Sequence, residues 1–121
     1  MPHIIIIIMH EISIAQNLLK IACNECLKHN RSVITLVYVR IGELSSIVPD
    51  ALRFSFQIIS EGTIAEGATL EIETVPVRGL CPKCGNEFKI DSPSFLCANC
   101  GDVSLKIISG KELELSRIEA M

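Results

Sequence analysis

The sequence predicts an α+β fold: a small sheet of about three strands packed with two helices, with a compact cysteine-punctuated module inserted late in the chain. Three observations predict it. Apolar residues recur at helical spacing from Ile12, runs rich in β-branched residues follow, and between Gly79 and Ser104 the texture changes to cysteines and turn residues. At 121 residues the chain suits one compact domain or a domain with a small appendage.

The first helix is read from Ile12, Ala15, Leu19, Ala22 and Cys26 along one stripe, with Leu18 and Ile21 beside it. Ser13 and Gln16 have the spacing of a capping box at its start, Lys28 and His29 complement the dipole in its last turn, and Asn30 supplies a left-handed stop. Val33 to Ile41 follows as a strand with a covered face, ended by Gly42. Pro49 opens the second helix, which runs through Leu52, Phe56 and Ile59 to a C′ glycine at Gly62. Thr63 with Glu66 predicts a further helix of about one turn, stopped by Gly67. Leu70 to Val75 alternates as a half-buried strand until Pro76, and alternation resumes around Leu113 and Leu115.

Composition narrows the function. With 49% hydrophobic and 21% charged residues the chain is neither disordered nor membrane-like. A net charge of −3, no Trp and one Tyr weigh against phosphate-driven or base-stacking nucleic-acid binding. The run Ile4 to Ile8 is far short of the roughly 20 apolar residues a membrane span needs. It also lacks the basic region and small-residue cleavage site of a leader. The expected location is therefore the cytoplasm, where thiols stay reduced and paired cysteines hold metal more often than they form disulfides.

Cys81-Pro-Lys-Cys84-Gly and Cys97-Ala-Asn-Cys100-Gly are two similar knuckles separated by 12 residues. Each can present two thiolates to one ion, and together they make the tetrahedral four-sulfur set of a zinc ribbon. Iron in a rubredoxin-like site and a pair of disulfides are the competing readings. A closed four-thiolate site has no open position, so its zinc is structural, and a module this small should owe its folding largely to the metal. Cys23 and Cys26 share the spacing but lie inside a helix, where no turn converges their sulfurs with a second knuckle. They are read as inert helix cysteines.

His10 and Glu11, adjacent before the first helix, are weak evidence on local grounds. The segments Met9-His-Glu-Ile-Ser-Ile-Ala-Gln-Asn-Leu-Leu, Gly42-Glu-Leu-Ser, Pro49-Asp-Ala-Leu-Arg-Phe-Ser-Phe, Glu61-Gly-Thr-Ile-Ala-Glu-Gly-Ala and the two knuckles change that weight. In this order they closely resemble the HypA/HybF hydrogenase nickel-incorporation proteins, collinearly from Met9 to about Glu119. The resemblance implies a nickel metallochaperone rather than an enzyme. It implies an α/β nickel-binding body at residues 9–78 and 105–121, with an inserted zinc module at 79–104. It further implies work with the accessory GTPase HypB, delivery to the large subunit of [NiFe]-hydrogenase and, in some organisms, service to urease.

In that family Met-His-Glu is the N-terminus, and nickel is held by the His imidazole and nearby backbone nitrogens. Carried over, His10 is the principal nickel ligand, Glu11 assists through its amide or carboxylate, and Met9 supplies backbone nitrogen. Asp50 and Glu43 are further oxygen donors, and Ni(II) favours such nitrogen and oxygen sets in tetragonal geometry. His10 must be neutral to bind, so affinity should fall as pH drops through about 6.5. The sequence departs from the family in residues 1–8, which precede the expected start at Met9. The preferred reading is that Met9 is the native start. The alternative is a genuine extension whose isoleucines pair as a strand or drive homodimerisation as an open edge. His3 has no assigned role, because Pro2 lacks the amide hydrogen that an N-terminal chelate needs.

A zinc-ribbon nucleic-acid-binding or transcription-associated module is the main rival reading, and an iron–thiolate electron carrier is a third. No nucleophile–base set, Gly-rich phosphate loop or open metal position supports catalysis.

Overall fold

A computed structural model describes residues 2–90, 97, 100 and 105–121, with side chains described from Glu11 onward. Helix α1 (Pro2–Lys28) is longer than the sequence suggested. Proline is favoured in a first helical turn, where its missing N–H would have no partner, and nothing from Ile4 to Glu11 breaks a helix. The isoleucine run is therefore helical, not a strand. Ser13 and Gln16 stand mid-helix and exposed, so they do not begin it as a capping box. The buried stripe is Glu11, Ile14, Ala15, Leu18, Ala22 and Cys26, a rotation from the expected line that leaves Ile12 and Leu19 half-buried and Ile21 exposed. The C-terminal end matches the expectation: Asn30 adopts φ +58°, and Arg31 N–H returns to the Cys26 carbonyl at 2.9 Å as a Schellman stop.

Strand β1 (Ile34–Gly42) buries Ile34, Val37, Val39 and Ile41. Helix α2 (Pro49–Ser60) packs against α1 and buries Leu52, Ser55 and Phe56 on one face. Its N-cap is Val48, which has no capping side chain, and its C-cap is Glu61, so Gly62 is the C′ residue with φ +77°. The segment after Gly62 is a turn, not a helix. Ala65 N–H donates to Thr63 Oγ1 at 3.1 Å, while Glu66 Oε1 accepts from Gly62 N–H at 3.2 Å. Two positive-φ glycines bracket a stretch too short to propagate helical bonds.

Strand β2 (Thr69–Val75) follows, then three short strands, β3 (Arg78–Leu80), β4 (Glu87–Lys89) and β5 (Lys106–Ser109), and finally β6 (Leu113–Ala120). One sheet has the order β2-β1-β6 and the other β4-β3-β5. In the second sheet β3 pairs antiparallel with β4, placing Leu80 opposite Glu87, and antiparallel with β5, placing Leu80 opposite Lys106. The chain divides into two compact units. One comprises residues up to Val39, Ile47–Glu73 and Glu114–Met121; the other comprises Arg40–Ser46 and Thr74–Leu113. Among the described residues no helix is long and apolar enough to cross a membrane.

Candidate metal centre

The four knuckle cysteines converge. The sulfurs of Cys81, Cys84, Cys97 and Cys100 all lie within 4.8 Å of one another, with Cys81–Cys100 and Cys84–Cys97 separations of 3.6 Å each. A disulfide would need about 2.05 Å, so none of the four is in one. Zinc–sulfur bonds of about 2.3 Å at tetrahedral corners put sulfurs about 3.8 Å apart, which these positions approach. The donor set fits a structural zinc site, and this is the only group of three or more metal-ligating side chains among the described residues.

Local sequence explains the first knuckle. β3 ends at Leu80 and β4 begins at Glu87, so Cys81 to Asn86 must reverse the chain. Gly85 takes φ +76° and donates its N–H to the Cys81 carbonyl at 2.7 Å, and Cys81 N–H donates to the Asn86 carbonyl at 2.9 Å. In the second knuckle the Cys100 N–H donates to Cys97 Sγ at 3.4 Å, a bond that favours the charged thiolate. Cys81 and Cys97 are buried, whereas Cys84 and Cys100 are exposed, so the cluster sits at the edge of its small sheet. The rest of the second knuckle lies outside the described residues. Gly42 and Gly110 supply the close approach beside this sheet. A Cβ on Gly42 would overlap the Gly110 carbonyl group, and Leu44 N–H donates to that carbonyl at 2.7 Å.

The proposed nickel segment is seen more partially. Met9 and His10 lie within α1, and their side chains, with that of His3, fall outside the described set. Glu11 is fully buried: Oε1 accepts the Val48 N–H at 3.3 Å, and Oε2 has no hydrogen-bond partner among the described residues. The carboxylate thus serves the N-terminus of α2, where Val48 brings no cap of its own and negative charge complements the helix dipole. Sequence reasoning missed this role. Only its burial was signalled, since Glu11 stands at i−3 and i−4 from the buried pair Ile14 and Ala15. Asp50 is exposed and paired with Arg53 at 3.0 Å, and Glu43 is exposed.

The remaining candidates lie in the second half of α1 and just beyond its end. Cys23 is half-buried in α1, and burial, with the neighbouring Cys26, pushes its pKa up. His29 is exposed, 3.6 Å from Glu25 one turn earlier, at the helix end where a cation is favoured.

The hydrogenase/urease nickel-incorporation metallochaperone family HypA matches residues 9–120 of this chain. Among relatives, the hydrogenase maturation factor HypA of Nostoc punctiforme is 44% identical over 111 residues, covering 92% of this chain and 95% of that protein. The factor of the same name from Chloroflexus aggregans is 46% identical over 112 residues, covering 92% and 98% respectively. Among solved structures, a solution structure of a HypA protein superposes with a TM-score of 0.73 at 26% identity, covering 93% of this chain and 97% of that one. The Ni metallochaperone HypA from Helicobacter pylori gives 0.65 at 25% identity, covering 92% and 97%.

Proposed function

The chain belongs to the HypA family of nickel metallochaperones for hydrogenase maturation, and from that premise we propose that it carries Ni(II) on His10, with Met9 and Glu11 completing the segment, and holds zinc on Cys81, Cys84, Cys97 and Cys100. The observation that carries the reading is that the family match begins at Met9, the first residue of Met-His-Glu. A nitrogen-rich site suits Ni(II) and can exchange its cargo, whereas four thiolates hold zinc firmly; the two metals thus have separate tasks.

Glu11 contributes to nickel through its backbone nitrogen, because its carboxylate is fully buried with Oε1 turned to the Val48 N–H. Amide nitrogens inside a helix are engaged in intrahelical bonds, so this mode of binding requires α1 to unwind through His10 and Glu11. Handover then proceeds by ligand exchange to a partner. We assign that partner as the HypB-type accessory GTPase, with the large subunit of [NiFe]-hydrogenase as recipient and urease accessory proteins as a second route. The chain acts in the cytoplasm without catalysing a reaction of its own. The nickel body spans residues 9–78 and 105–121, the zinc module spans 79–104, and residues 1–8 stand outside both.

A Ni(II) titration by calorimetry with parallel absorption spectra tests the assignment on the wild-type chain, His10→Ala, and a chain beginning at Met9. His10→Ala is expected to lose tight nickel binding while keeping zinc and helix content; retained affinity would move the site elsewhere. Tighter, planar-type binding in the shorter chain would identify the Met9 amine as a ligand.

A further inference from the structure

Helix α2 presents a stripe whose residues belong to neither the proposed nickel set nor the zinc set. Arg53, Phe56, Gln57 and Ser60, at i, i+3, i+4 and i+7, form one wall of a groove of about 390 Å³. The unbroken stretch Gly67–Glu71, which runs into β2, forms the other, and β2 is an edge strand of its sheet. In this groove Ser60 is only 2% exposed, and its Oγ has no hydrogen-bond partner among the described residues. Its carbonyl, by contrast, accepts both the N–H and the hydroxyl of Thr63, at 3.0 and 2.7 Å. The unmet demand is thus confined to the side chain, and a buried hydroxyl left without a partner is destabilising.

We propose that this groove receives an extended peptide segment of a partner protein, added along β2 as a further strand, with one of its polar groups bonded to Ser60 Oγ and a basic side chain opposite Glu71. An edge strand offers a repeating row of N–H and C=O groups that an extended backbone can match, which no compact solute can do. Charge selects the sequence. Arg53 is neutralised by Asp50 at 3.0 Å, so exposed Glu71 sets the sign of the groove and calls for a cation. Phe56 and Leu70 are already buried, so recognition is polar and comes from the backbone. One water would satisfy Ser60 but would fill only about a tenth of the space, given roughly 30 Å³ per water.

The test uses the full zinc-loaded chain. A displayed library of random peptides of about ten residues is panned against it, and enriched peptides are titrated into the ¹⁵N-labelled protein. Enriched peptides should carry Lys or Arg, shift the amides of Ser60 and Gly67–Glu71, and slow hydrogen exchange in the latter. Ser60→Ala removes a buried unpaired hydroxyl, so it should fold at least as well as wild type yet bind roughly tenfold more weakly. Glu71→Ala, at an exposed position, should weaken the same peptides without affecting the fold. The inference is overturned if no enriched peptide perturbs Gly67–Glu71, or if Ser60→Ala binds as tightly as wild type.

Discussion

The unit that carries α1 and α2 and the unit that carries the cysteines solve the same problem with different materials. In the first, Phe56, Leu52, Val37 and Ala15 are removed from water almost completely, and two helices pack on one another over a sheet. In the second, the strands β3, β4 and β5 are three or four residues long. Among the described residues its buried hydrophobic side chains are fewer: Ile41, Val75, Val77, Ile90 and the thiols Cys81 and Cys97. Burial yields about 25 cal/mol per Å², so the first unit can hold itself together by apolar contact, while the second cannot offset its chain entropy without an added crosslink. The difference teaches why the cysteine cluster suits a structural metal. A zinc that folds its own module cannot also be the ion handed on.

That contrast is most sharply broken by removing zinc. Cys81→Ser, or strong chelation of the wild-type protein, should forfeit most of the roughly 10–16 kcal/mol with which structural zinc binds. In ¹⁵N spectra the amides of Arg78–Leu80, Glu87–Lys89 and Lys106–Ser109 should collapse toward random-coil positions while far-ultraviolet helix signal persists. Dispersed β3–β5 amides in metal-free protein would show that the module folds by packing after all. The reciprocal experiment is Phe56→Ala, which empties a site that is 1% exposed and should cost about 3–5 kcal/mol in urea unfolding. Its zinc content should match that of wild type under native conditions.

Glu11 gives an intermediate effect. Glu11→Ala strips the Val48 N–H of its acceptor and leaves a void in the packed stripe, for an expected loss of about 1–3 kcal/mol. Glu11→Gln keeps a carbonyl oxygen in place and should lose less. Equal losses would mean that the negative charge at the start of α2, not the hydrogen bond, is what the helix uses.

The same contrast separates what was legible in the sequence from what was not. The knuckles could be read outright, because CxxC turns announce their geometry locally and the four sulfurs have one way to meet. Asn30 and Gly62 were legible for a similar reason, each being a residue type suited to one backbone conformation. The start of α1 was not. A capping box is a local signal, and Ser13 with Gln16 carries it, but the apolar run before it continues a helix just as readily. The bond between Glu11 and Val48 was not legible, because that partner is 37 residues away and no local pattern pairs them. The one-turn helix at Thr63 failed because side-chain bonds to Gly62 and Ala65 close a turn as well as they cap a helix.

The smallest effect expected separates charge from packing inside the cysteine-bearing unit. Glu112 follows Gly110, whose φ is +111°, and its Oε1 accepts the Gly110 N–H at 2.7 Å, while the Glu112 N–H reaches the same carboxyl. These two amides hold its pKa below the ordinary 4.5, Glu112's own being the stronger influence, with a smaller contribution from Arg40. A folded-state pKa below the unfolded one means stability that is fully present above about pH 4.5 and drains away as pH falls through the lower folded value. Acid also protonates the zinc thiolates, so a global unfolding curve would mix the two events. The cleaner measurement is the Glu112 carboxyl carbon shift and the Gly110 amide shift, followed together. Both should titrate with one midpoint below 4.5 while the amides of β3–β5 are still dispersed. Glu112→Gln should remove the carboxyl titration and leave Gly110 insensitive to acid in that range. A Gly110 amide that instead moves in step with zinc release would place this turn under the control of the metal, and the loop would then belong energetically to the cysteine cluster instead of to its own charge.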